Sequence, residues 1–181
     1  LALIFAAVLE IGFGALPEGR FPWVSRLVLG ALGIGPGDEV ITTPFTFLAS
    51  ATAILHVGAR PVFVDLSPGG DHLAPEAVQA ALSPRTRAIL AVHLYGAPAN
   101  LGALAAIADR AGVVLVEDCA QAIGAEFEGR QVGSFGVAGC LSFYPTKNLG
   151  ACGDGGMVVT NDSVLAARVD RLRRQGTDER G

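Results

Sequence analysis

The sequence predicts an α/β fold, a three-layer α/β/α arrangement around a mostly parallel sheet. From Asp38 onward, short β-branched runs alternate with alanine-rich stretches of helical spacing, as a parallel sheet covered on both faces requires. Val113-Val-Leu-Val116 is apolar without interruption, as in a strand buried on both sides. The 181 residues are 51% hydrophobic and 17% charged, too apolar for a disordered chain and enough for one substantial core.

Residues 1 to about 30 are apolar but poorly patterned, and Gly12, Gly14, Pro17, Gly19 and Pro22 are expected to break any helix there. Glu39–Thr42 is the first clear strand. Ala49–Val57 follows as a helix, Pro61–Asp65 as a strand and Ala74–Leu82 as a helix. Ala88–His93 is the third strand. In Leu101–Ala111, residues Leu101, Leu104, Ala105 and Ile107 share one stripe, so a buried-face helix is expected. Val113–Glu117, Leu141–Tyr144 and Met157–Thr160 complete the strands. Ser163 is the expected N-cap of a last helix reaching about Gln175, within a charged end running from Arg171 to Gly181.

Composition removes several function classes. The net charge of −4 gives no support to nucleic-acid binding, which usually needs a basic face. No run of roughly 18 or more apolar residues offers a membrane span. The apolar opening Leu1–Leu9 lacks the basic start of a signal peptide, so the expected location is the cytoplasm. Cys119, Cys140 and Cys152 form neither a disulfide framework nor a metal-type spacing, and no metal is expected. The chain opens on Leu rather than Met, as expected of a fragment.

Ligands of open parallel sheets sit beyond the carboxyl ends of the strands. There the sequence places Phe45 and Phe47, His93, Asp118, Gln121, Ser142 and Lys147. Lys147 is the only lysine, and arginine cannot replace lysine where a deprotonatable amine is needed. A lysine beside a low-dielectric sheet loses its proton readily and can form a Schiff base. A strand-end aspartate together with this lysine fits pyridoxal phosphate (PLP), whose aldehyde needs an amine and whose ring nitrogen needs an acid partner. Each residue also has a plainer reading. Lys147 is then a surface residue on a turn, Asp118 a helix cap, Phe47 part of the core and Ser142 a partner of backbone groups only. His93 reads as structural, and Cys119 and Cys140 as small buried hydrophobes.

Five ordered segments extend this reading. They are Gly35–Phe47, Val92–Gly96, Glu117-Asp-Cys-Ala-Gln-Ala122, Ser142-Phe-Tyr-Pro-Thr-Lys-Asn148 and Gly153–Asn161. Together they resemble the DegT/DnrJ/StrS family of PLP-dependent aminotransferases over about residues 31 to 175. The resemblance implies the large PLP-binding domain of the fold-type I aminotransferases, a nucleotide-linked keto-sugar substrate, glutamate as amino donor and a homodimer. It also implies roles. Lys147 anchors PLP and shuttles the proton, and Asp118 partners the pyridine nitrogen. Gln121 bonds the ring hydroxyl, Ser142 binds the phosphate, and Phe47 stacks on the ring. Dehydratase members carry histidine where Lys147 stands, so a transaminase is implied. Gly150–Gly156 lacks the Gly-x-Gly-x-x-Gly pattern and reads as a close-packed turn into a strand, which argues against a Rossmann dinucleotide binder.

Upstream of Ala31 the resemblance stops. Phe21-Pro-Trp-Val24 stands where the family has a phosphate-holding Gly-Thr-Asp-Ala loop. The expected division is a divergent segment, residues 1–30, and a partial PLP-binding domain, residues 31–181, without the small C-terminal domain. The chain alone is therefore expected to bind PLP weakly and not to turn over. The second reading is a non-catalytic truncated remnant of the family.

Overall fold

The computed structural model describes residues 4–6 and 23–174. In chain order the elements begin with β1 (Ile4–Ala6), α1 (Trp23–Ala31), β2 (Glu39–Thr42), α2 (Leu48–His56) and β3 (Arg60–Phe63). They continue with α3 (Pro75–Ala81), β4 (Thr86–Val92), α4 (Leu101–Ala111) and β5 (Val114–Asp118). The last are β6 (Glu126–Phe127), β7 (Arg130–Gln131), β8 (Ala138–Ser142), β9 (Gly156–Thr160) and α5 (Ser163–Arg173).

One seven-stranded sheet has the order β1-β9-β8-β5-β4-β2-β3. The pairs from β3 through β8 are parallel, and β9 runs antiparallel to both β8 and β1. Alternate residues of the central strands enter two separate cores. Val40, Leu90 and Val116 pack with Val28 and Leu29 of α1, Ile54 of α2 and Leu165 of α5. Their neighbours Ile41, Ile89 and Leu115 pack with Val78 of α3 and with Leu101, Leu104 and Ile107 of α4. This is the period of two expected of a sheet buried on both faces, and it makes the fold a three-layer α/β/α sandwich.

Local chemistry explains the boundaries. The Asn100 side chain accepts the Ala103 N–H to start α4, and Gly112 ends it in the left-handed conformation, φ 64°. At the start of β2, Glu39 is buried. Its carboxylate accepts from Arg60 Nη2 at 2.6 Å, Arg85 Nε at 2.7 Å and Ser83 Oγ at 2.8 Å. These bonds, that of Arg60 above all and then that of Ser83, hold its carboxyl down to about 2.

Several expectations change. The helix breakers end at Pro22, and α1 begins at the next residue. Val24, Leu27, Val28 and Ala31 then recur at helical spacing and pack against the α1 side of the core, so the expected absence of a helix before residue 30 is wrong for 23–31. The boundary placed between residues 30 and 31 falls within α1. Asp162, not Ser163, caps α5, accepting from Val164 and Leu165 N–H at 2.8 and 3.0 Å. β8 ends at Ser142 because Phe143 leaves the strand pairing, its N–H bonding the Gly155 carbonyl and its carbonyl accepting from Ala151. The β6–β7 hairpin was not anticipated. Its turn residues Glu128 and Gly129 both have positive φ, 50° and 75°, which suits the twist of a two-residue hairpin.

Candidate active site

At the carboxyl end of the sheet, Asp118 is the last residue of β5 rather than the first beyond it. Strand alternation turns its side chain toward α2, on the face opposite Glu117. Its two oxygens are held separately. Oδ2 accepts the Ser50 hydroxyl at 2.8 Å, and Oδ1 accepts the Ala120 N–H at 3.1 Å. The Ser50 oxygen lies 2.9 Å from that of Thr46, just before α2. Ser50 and Asp118 are both buried.

Asp118, Gln121, Lys147 and Phe47 line one pocket, together with Thr46 and Ser50. Gln121 Oε1 accepts the Tyr95 N–H at 2.7 Å, which orients the amide and leaves its NH2 group as the donor. Tyr95 keeps this bond from a left-handed backbone, φ 57°, an uncommon state for a residue with a side chain. Lys147 is half-buried, its N–H donating to the Tyr144 carbonyl at 2.8 Å. Its Nζ sits 5.9 Å from the centre of the Phe47 ring. Phe47 is 60% exposed, so the core reading of that ring fails. Ser142 ends β8 outside the lining of this pocket, and its hydroxyl accepts the Tyr144 N–H at 3.3 Å.

A second polar group is built around Glu117 on the other face of β5, and its His93 also lines the pocket. His93 Nδ1 accepts the Ala99 N–H at 3.1 Å, so Nε2 is the donor to Glu117 Oε2, also at 3.1 Å. Glu117 further accepts from the N–H groups of Gly133, Phe135 and Gly136, each at 2.7 Å. Burial opposes its ionisation, but the His93 bond and those from Gly136 and Gly133 prevail and hold the carboxyl below its usual range. The ligand-type atoms of His93, Glu117 and Cys119 lie within 4.8 Å of one another. The His93 and Glu117 atoms are already engaged in these hydrogen bonds, so the group reads as a structural lock.

Cys119 and Cys140 are buried. Burial pushes the Cys119 thiol well up, with the Glu117 charge adding to it. Burial does the same to Cys140, reinforced by Asp118. These thiols are poor nucleophiles, as small buried hydrophobes should be. In the glycine-rich stretch, a Cβ on Gly150 would stand 2.5 Å from the Pro145 carbonyl oxygen. One on Gly156 would stand 2.5 Å from Val24 Cγ2. Close packing, rather than a nucleotide, accounts for these glycines. Of the segment expected to replace the phosphate loop, Phe21 and Pro22 lie outside the described residues.

Sequence reasoning missed Ser50, Thr46, Glu117 and Tyr95. Ser50 carried a faint signal as a hydroxyl inside the apolar run Leu48–Leu55, and Glu117 one as a charge closing an apolar strand. Nothing in the sequence marked Thr46 or the Tyr95 backbone.

Comparison with known proteins gives a consistent result. The profile of the DegT/DnrJ/EryC1/StrS aminotransferase family matches residues 25–181. The chain is 54% identical over 151 residues to the UDP-N-acetyl-3-dehydro-alpha-D-glucosamine 3-aminotransferase of Acidithiobacillus ferrooxidans, covering 83% of this chain and 41% of that protein. It is similar to the crystal structure of S. venezuelae DesV in complex with a ketimine intermediate. The TM-score is 0.84 and the identity 50%, over 86% of this chain and 42% of the other. NtdA from Bacillus subtilis, solved with bound cofactor PMP, superposes with a TM-score of 0.77 at 35% identity, over 82% and 33% of the two chains. The chain spans about two fifths of the length of the curated relatives it matches. Among the described residues, no helix is long and apolar enough to cross a membrane.

Proposed function

The chain belongs to the DegT/DnrJ/EryC1/StrS aminotransferase family, and from that premise we propose that it carries part of the cofactor-binding domain of a PLP-dependent aminotransferase acting on a nucleotide-linked keto-sugar. One observation carries the proposal. The only lysine, a buried strand-end carboxylate, an oriented amide and an exposed aromatic ring line a single pocket. That donor set fits PLP, which needs an amine for its aldehyde, an acid for its ring nitrogen, a donor for its ring oxygen and a flat partner for its face.

When bound, PLP supplies an electron-accepting ring that eases loss of a proton from the carbon bearing the transferred nitrogen. The protein's part is to hold that group and move the proton. Lys147 would offer the amine that holds the cofactor and the base that carries the proton. Asp118, with both oxygens held from the sides, would accept from the ring nitrogen. The NH2 of Gln121 would donate to the ring oxygen. Phe47 covers a ring face, a contact typically worth about 0.5–1.5 kcal/mol beyond area burial. Ser142 is proposed as a phosphate donor, although it stands outside the pocket's lining. Residues 31–181 are read as the partial large domain, with α1 extending it to residue 23.

The substrate reading draws on the relative named for a UDP-linked amino sugar. Glutamate as donor, a homodimer and a cytoplasmic location belong to the same proposal by family resemblance. The test is borohydride reduction of the protein with PLP, followed by peptide mapping. The pyridoxyl label is expected on Lys147, and a label confined to the N-terminal amine overturns the reading. Turnover with an amino donor separates an enzyme from a non-catalytic remnant.

A further inference from the structure

We infer that Ser50 is a positioning residue for Asp118, the last member of a hydroxyl relay from Thr46 that aims the carboxylate. The inference rests on the proposed role of Asp118 as partner of the ring nitrogen.

The geometry gives each hydrogen one place. A hydroxyl has a single hydrogen to donate. Ser50 commits its own to Asp118 Oδ2 at 2.8 Å, so across the 2.9 Å contact between hydroxyls Thr46 is the donor. The relay therefore runs from Thr46 through Ser50 to Asp118. Ser50 stands in the first turn of α2, 68 residues from Asp118 in sequence, and is buried to 2% exposure. It is thus a fixed point on a different element from the strand that bears the acid. Ala120 N–H fixes the other oxygen from the loop after β5. With both oxygens tethered, the carboxylate cannot turn about its own axis, and its remaining acceptor positions are set by the two tethers.

With the Ser50 bond in place, the carboxylate is held facing the ring nitrogen, and its charge favours the protonated ring. Without it, the carboxylate is free to turn away, and the ring nitrogen moves toward its unprotonated state.

The experiment uses the complete protein loaded with PLP labelled with 15N at the ring nitrogen. Nitrogen NMR and PLP titration are compared for wild type, Ser50→Ala, Ser50→Thr and Thr46→Val. In Ser50→Ala the ring-nitrogen resonance should move toward the unprotonated pyridine value, and PLP binding should weaken about tenfold, as for loss of a hydrogen bond to a charged group. Ser50→Thr, which keeps the hydroxyl, should retain the wild-type resonance. Thr46→Val should move it the same way by a smaller amount, and it carries the test if Ser50→Ala does not fold. A purely structural Ser50 would change the melting temperature and leave the resonance in place. A protonated ring nitrogen in wild type with no change in Ser50→Ala or Thr46→Val overturns this inference and leaves the proposed function standing. Wild-type protein whose ring nitrogen is unprotonated overturns both.

Discussion

Two glutamates lie buried at opposite ends of the sheet, and they are satisfied in opposite ways. Glu39, at the amino end, meets the side chains of Arg60 and Arg85, which are 64% and 65% exposed. Glu117, at the carboxyl end, meets three backbone N–H groups and a fully buried histidine. The arginines at Glu39 can fall back into water if the glutamate is lost. The amides at Glu117 have no such retreat, because they belong to the loop running into β8. A buried acid solvated by mobile side chains tethers, whereas one solvated by backbone builds.

The largest effect should follow Glu117→Gln. The amide presents an NH2 group to N–H donors that need an acceptor, and the cost should be about 3 kcal/mol. For a chain of this size that is a fall of roughly 6–12 °C in Tm, measured by circular dichroism. A fall of a degree or two would break the contrast. Glu39→Gln should lower Tm by clearly less, since the remaining carbonyl oxygen can take the place of Oε1, which accepts from both arginines.

Salt and acid sharpen the difference. The Glu39 carboxyl is lowered from 4.5 to about 2, so the folded state favours its charged form. Its contribution is fully present above about pH 4.5 and is lost as pH falls toward 2. Glu39→Gln should therefore flatten the decline in stability between those values, measured as urea midpoints at a series of pH. Raising the salt from 0.05 M to 1 M should erode the stability gap between wild type and Glu39→Gln, because its arginines are open to solvent. The gap for Glu117→Gln should hold. The smallest change belongs to the exposed carboxylate Asp162, where loss of the α5 cap in Asp162→Ala should cost about 1 kcal/mol, read from the same urea curves.

What was legible in the sequence follows the range of each interaction. β2 and α4 match their predicted limits because local rules alone define them: a β-branched run, and an apolar stripe between Asn100 and Gly112. α1 was obscured by the breakers crowded just before it. β6 and β7 have two residues each, too few to show a period. At the site, Asp118, Gln121 and Lys147 were marked by their place at strand ends. The groups that orient them were not, because Ser50 meets Asp118 only once β2, β4 and β5 are side by side. Ser142 was placed by motif, and the end of β8 sets it apart from the shared pocket.

The adjacency of Glu117 and Asp118 has a consequence for how the chain finds this arrangement. Neighbours in a strand face opposite sides, so pairing β5 one residue out of step would exchange the two acids. Asp118, one methylene shorter, would face the three amides built around a glutamate, and Glu117 would intrude on Ser50. Neither carboxylate satisfies the other's partners, so a mis-paired sheet strands several buried polar groups at once. The four hydrogen bonds at Glu117 thus act as a proofreading step for the strand, and Asp118, proposed to meet the cofactor, is in place only in a chain that has passed it.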